Sequence, residues 1–135
     1  MVKMVKNYFY LVVGLLSVLF AATHTLNGLE TVLPILNSAN IDVSTNTIFT
    51  YVWHIIGIEN LVFGIALIYM AFQKNLERVK FATWIIIIIL IMRWVIIALF
   101  TVLNDISNVM NLLPDTIAIL TVVVLLVLGT RVKNK

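Results

Sequence analysis

The chain alternates long apolar blocks with short polar ones. A spanning helix needs about 20 mostly apolar residues, and four blocks have that length. They run from about 8–26, 48–72, 81–103 and 112–129. The third contains the unbroken run from Ile85 to Met92. A strand of a membrane barrel would be about 10 residues long and alternate in polarity. These blocks do neither, so they predict helices. Pro114 suits the first turn of the fourth helix, where its missing N–H costs nothing. Asp115 beside it suits the positive end of the helix dipole. The polar intervals predict outer loops at about 27–47 and 104–111 and a loop at about 73–80 on the other side. Within the longest interval, Glu30 to Leu36 predicts a short interfacial helix, bent near Pro34. Asn37, Asn40, Asp42, Ser44 and Asn46 predict a polar loop.

Composition moves this pattern into a bilayer. Of 135 residues, 62% are hydrophobic and 11% are charged. A soluble domain carries roughly 25% charged residues. A soluble core of this size could not hide the excess apolar surface, whereas lipid accepts it. The length suits one membrane domain over 1–135. Cysteine is absent, which excludes disulfides, thiolate metal sites and cysteine nucleophiles.

Charge then orients the spans. Lys3 and Lys6 precede the first, Lys74, Arg78 and Lys80 lie between the second and third, and Arg131, Lys133 and Lys135 follow the fourth. Four crossings put all of these on one side. Glu30, Asp42, Asp105 and Asp115 fall on the other side, with no Lys or Arg. The positive-inside rule makes this a multi-pass protein of the cytoplasmic (inner) membrane with both termini cytoplasmic. A cleaved secretory signal at the first block fits less well, because no A-x-A site follows it and its loss would break the charge symmetry. The basic residues form short clusters and no continuous stripe, so nucleic acid is not an expected partner. The expected partners are the lipid bilayer, another membrane protein, or the chain itself as a homo-oligomer.

Lipid tails are as apolar as leucine, so small residues and polar bonds must drive helix association. Gly14, Ser17, Ala21, His24 and Gly28 recur on one stripe of the first helix. Gly57 and Gly64 flank Asn60 on a stripe of the second, with His54 at its upper edge. The fold class expected is all-α: an integral membrane antiparallel four-helix bundle with four transmembrane helices. Tyr8, Phe9 and Tyr10 at one end, and Tyr51 and Trp53 at the other, read as interfacial aromatic belts.

Intramembrane polar residues are where a function would sit. Glu59 falls roughly 17 Å, and Arg93 roughly 15 Å, below the outer ends of their predicted helices, counted at 1.5 Å per residue. Each charge alone there costs about 2.5–3.5 kcal/mol on insertion scales. An ion pair would lower that cost. The pair would either lock two helices together or form a site in which Glu59 titrates and Arg93 binds an anionic group. His24 and His54 lie in the outer half. They would hydrogen-bond to neighbouring helices, join a proton relay with Glu59, or ligate haem b. No H-x-x-E-H or E-x-x-H pattern is present on any predicted helix, so no metal is expected. No nucleophile–base pattern marks catalytic residues either.

The segment Gly57-Ile58-Glu59-Asn60-Leu61-Val62-Phe63-Gly64-Ile65-Ala66-Leu67 resembles the second helix of the DoxX-like small bacterial membrane proteins. The portion from Gly14 to Phe20 is also similar to that group's first helix. The resemblance implies a four-helix membrane fold, and some members of the group accompany quinone-linked oxidoreductases. It supplies no active site. Three readings follow. The leading one is a non-enzymatic accessory or interaction subunit with no cofactor. The alternatives are a small-molecule-binding or proton-linked transport protein using a Glu59/Arg93 midplane site, and a redox module holding quinone or haem. Glu59, Arg93, His54, His24 and Asn60 are the candidate binding residues.

Overall fold

The computed structural model describes residues 4–133, and every regular element among them is helical. Lys3 and Lys135, counted above as basic flanks, lie outside the described residues. The elements are α1 (Tyr8–Asn27), a π-helical turn (Gly28–Val32), α2 (Leu33–Ser38), α3 (Val43–Ala71), α4 (Leu76–Asn104), a 3-10 segment (Ile106–Leu112) and α5 (Leu113–Thr130). Four stretches are long and apolar enough to cross a membrane: Tyr8–Ser38, Val43–Ala71, Leu76–Asn104 and Ile106–Thr130. The fold is all-α, as the apolar blocks predict.

The helices are longer than the apolar blocks, and each extension has a local cause. The chain does not leave helix at Asn27. It passes through the π-turn, where the Leu33 N–H bonds to the Gly28 carbonyl, five residues back. Pro34 follows in the first turn of α2. A proline inside an α-helix lacks a donor and clashes with the preceding turn. The wider π-turn stands just ahead of it, and the chain stays helical to Ser38. The expected separate helix from Glu30 to Leu36 is thus part of a continuation of α1. The outer connection shrinks to 39–42, and the Asn46 side chain donates across it to Asn37 Oδ1 at 2.8 Å.

The helix α3 starts five residues earlier than its apolar block. Asp42 explains this, because its carboxylate accepts from the Thr45 N–H at 2.9 Å and also from the Thr45 hydroxyl. That is an N-cap, and it satisfies an otherwise orphaned helix donor. On the opposite side α4 starts at Leu76, five residues before its block. The intervening Leu-Glu-Arg-Val-Lys residues are mostly good helix formers. Glu77 sits in the first turn, where the dipole favours it, and pairs with Lys80 at 2.6 Å. At 29 residues each, α3 and α4 are about 43 Å long, more than the roughly 30 Å of hydrocarbon they would cross.

Tertiary contacts divide the chain into two compact units. One is Gly14–Ile68. The other holds the residues up to Val13 together with those from Tyr69 onward.

In the Gly14–Ile68 unit, α1 and α3 run antiparallel at backbone distance. A Cβ placed on Gly14 would stand 2.9 Å from the Gly64 carbonyl oxygen and 2.9 Å from Ile68 N. One on Gly64 would stand 2.9 Å from the Gly14 carbonyl oxygen. Real side chains do not fit there, so the two glycines are a requirement of this approach. Further along the same pair, Gly57 faces Thr25 and Ala21, and Gly28 lies against the Trp53 ring.

The other unit is joined differently. Asn7 caps α1, its side-chain oxygen accepting from Tyr10 N at 3.2 Å. Its Nδ2 donates to the Gly129 carbonyl near the end of α5 at 2.9 Å. The backbone N–H groups of Lys6 and Asn7 both donate to the Ala71 carbonyl at the end of α3. Asn7 and Tyr10 are fully buried. Nearer the other end of α4, Trp94 Nε1 donates to Thr116 Oγ1 on α5 at 2.9 Å.

Candidate functional site

The stripe of α1 positions His24 opposite Trp53 of α3. The two rings stack with centroids 4.2 Å apart and planes 10° from parallel. His24 Nε2 meets the Trp53 carbonyl at 3.1 Å, and Trp53 Nε1 donates to the His24 carbonyl at 3.1 Å. A carbonyl only accepts, so this bond needs the tautomer protonated at Nε2. The pair is a reciprocal clasp: each ring bonds the other residue's backbone. Gly28 makes room for it, since any side chain there would strike the indole.

His24 thus makes a bond to a neighbouring helix, one of the three roles open to it from the sequence. Its stacking partner is Trp53, one residue before the half-buried His54. An iron bound at His24 Nε2 would have to displace the bond to Trp53. Among the described residues, no three His, Asp or Glu side chains gather where they could hold a metal ion.

Glu59 and Asn60 are half-buried near the middle of α3, and Arg93 is half-buried in α4. Each of the three engages a partner within the molecule. None is a bare charge or amide facing lipid, which matches the cost of leaving such groups unsatisfied in hydrocarbon. Asn104, which could have extended a polar path upward from Arg93, is exposed and donates to Phe100 O of its own helix at 2.8 Å. Thr23 likewise bonds back to Leu19 O and Phe20 O.

Two residues of consequence escape a reading by polarity alone. Trp53 reads as a belt aromatic, yet it is half the clasp with His24. Asn7 follows Lys6 ahead of the first apolar block, yet it is one of the most buried residues. A signal for Asn7 exists, because asparagine just before an apolar helical block is a preferred N-cap. Nothing local announces that its amide also reaches Gly129, 122 residues away. Tyr10 also departs from the belt reading. It is fully buried against Gly129, and its hydroxyl, near Thr83, has no hydrogen-bond partner among the described residues.

Outside the spans, two carboxylates cap helical starts. Bonds from the Thr45 side chain, then its backbone, hold Asp42 below the usual carboxylate range. The Ser107 side chain and backbone do the same for Asp105.

Comparison of the chain with protein-family models, with curated proteins and with solved structures gives no match.

Proposed function

We propose that the protein is a non-enzymatic accessory subunit of the cytoplasmic membrane, with both ends cytoplasmic, which associates laterally with another membrane protein or a second copy of itself. We also propose that it belongs with the DoxX-like group that its 57–67 segment resembles. The observation supporting this reading is that several polar side chains in and beside the spans are engaged inside the molecule. His24 is clasped by Trp53, Asn7 by Gly129, and Trp94 by Thr116. Glu59, Asn60 and Arg93 have internal partners too. A transport or redox site needs polar groups offered to a ligand, whereas the His24–Trp53, Asn7–Gly129 and Trp94–Thr116 bonds fasten one segment to another. Large apolar side chains meanwhile line the outside of every span, among them Ile58, Ile65, Ile88, Ile96, Ile117 and Val124.

The test is reconstitution. Proteoliposomes of the purified chain should pass protons and small solutes no faster than protein-free liposomes. Glu59→Gln should lower thermal stability in detergent without changing flux. A pH-dependent flux that Glu59→Gln abolishes would overturn this reading in favour of transport. A Soret band or extractable quinone in the purified protein would overturn it in favour of a redox module. The chain has no cysteine. Single cysteines at Asn40 and Asn75, labelled from either side of the membrane, therefore test the orientation directly.

A further inference from the structure

The basic end of one unit contains a feature that topology does not require. A cleft of about 430 Å³ is lined by Met4, Val5, Lys6, Tyr8, Lys74, Leu76, Val132 and Lys133. Its three lysines among the described residues come from three separate stretches: the residues before α1, the connection between α3 and α4, and the residues after α5. A positive-inside signal depends on how many basic residues flank the spans, not on their convergence. Arg78, Lys80 and Arg131 belong to the same basic end and do not line the cleft. Among the described residues no carboxylate side chain lines it, and Glu77, the nearest acid in sequence to Lys74 and Leu76, is paired with Lys80.

The three stretches are also held in place. The N–H groups of Lys6 and Asn7 are tied to the Ala71 carbonyl at 2.8 and 3.1 Å, which fixes Lys6 beside the end of α3. The Val132 N–H bonds to Gly129 O, which holds the segment carrying Lys133. Leu76 is 3% exposed and supplies a firm apolar wall. Three lysines of like charge are thus brought to one concavity together with apolar residues. A ligand with a compact anionic group and an apolar remainder would complement both.

We propose that this cleft binds a phosphate-bearing anion. Lys6, Lys74 and Lys133 are the charged contacts, and Val5, Leu76 and Val132 receive the apolar part. The apolar walls, and the position at the ends of the spans, favour an anionic phospholipid headgroup as the source over free phosphate.

The experiment uses the full chain in a neutral detergent, titrated with dioleoyl phosphatidylglycerol or dioleoyl phosphatidylcholine and read by native mass spectrometry. The wild type should retain phosphatidylglycerol at least about tenfold better, since each surface lysine contributes appreciably to anionic-lipid binding. The triple variant Lys6→Gln, Lys74→Gln, Lys133→Gln should lose this preference. The triple Arg78→Gln, Lys80→Gln, Arg131→Gln removes the same charge outside the cleft and should keep it. Equal loss in both triples, or no preference in the wild type, overturns the site. Should the cleft triple fail to fold, Lys74→Gln alone should lower retention several-fold, and an unchanged value would overturn the site. Millimolar inorganic phosphate distinguishes the sources. Failure to displace phosphatidylglycerol supports the lipid, and complete displacement overturns the lipid as occupant in favour of free phosphate.

Discussion

Each of the two compact units is held together internally, and by opposite means. In the Gly14–Ile68 unit, α1 and α3 meet because side chains are missing: Gly14 and Gly64 let two backbones touch. In the other unit the contact depends on a side chain being present, since the Asn7 amide ties the start of α1 to the end of α5. Both are answers to one problem. Hydrophobic burial does not separate a helix partner from a lipid tail, so specificity must come from van der Waals contact or from hydrogen bonds. The glycine pair uses the first. The Asn7 clasp uses the second, at helix ends whose carbonyls lack partners of their own.

Substitutions can break this contrast, and the largest effect is expected at the glycine crossing. Gly64→Val places branched carbon against Gly14 O and Val18, where the neighbours include backbone that cannot rotate away. A loss of about 3 kcal/mol is expected from such overpacking, read as thermal or denaturant unfolding in detergent. An unchanged stability would mean that α1 and α3 do not meet at Gly14 and Gly64.

Asn7→Ala should cost about 2 kcal/mol, combining a lost N-cap with a lost buried hydrogen bond. Hydrogen exchange should rise at the start of α1 and the end of α5, and much less at the Gly14–Gly64 crossing. If exchange rose equally in both units, the contrast drawn between them would fail.

Trp53→Phe retains an aromatic surface for His24 but removes the indole donor to its carbonyl. About 1 kcal/mol is expected, the worth of one hydrogen bond. Thr116→Val should cost less, about 0.6 kcal/mol, as is usual for a hydrogen bond between membrane helices. A double-mutant cycle with Trp94→Phe measures that coupling directly.

Acid should have the smallest effect, and it should touch both units alike. Asp42 and Asp105 are held below the ordinary carboxylate range by bonds from Thr45 and Ser107. A depressed folded-state pKa adds stability above the ordinary carboxylate value, and that stability is lost as pH falls through the depressed one. Helix-start protection at Val43 and Ile106 should therefore be flat through neutral and mildly acidic pH and decline only in stronger acid. Asp42→Asn should make the first of these pH-independent.

Much of the fold was legible without coordinates. Four apolar blocks of spanning length give four long helices, and Gly14, Gly28, Gly57 and Gly64 are all contact positions. Helix ends were less legible. Asn37, Glu77 and Arg78 are polar, and polar residues beyond an apolar block read as loop. They are helical because helix needs only backbone bonds and tolerable side chains, and the polar ends of a helix longer than the hydrocarbon can stand in water or headgroups. The candidate site was legible as residue types but not as pairings. His24 could be singled out, but its partner Trp53 could not, since stacking depends on the rotation of α3 about its axis.

The sequence by itself determined that this is an all-α chain with four spans. Insertion into lipid depends on the length and polarity of each segment, which are local properties. It also determined which faces carry small residues. Only the tertiary structure decided that Asn7 bonds Gly129, that His24 meets Trp53, and that Lys6, Lys74 and Lys133 surround one cleft. Those are contacts between distant segments, set by helix rotation and register to within a few ångströms. Neither hydropathy nor charge count carries information at that scale.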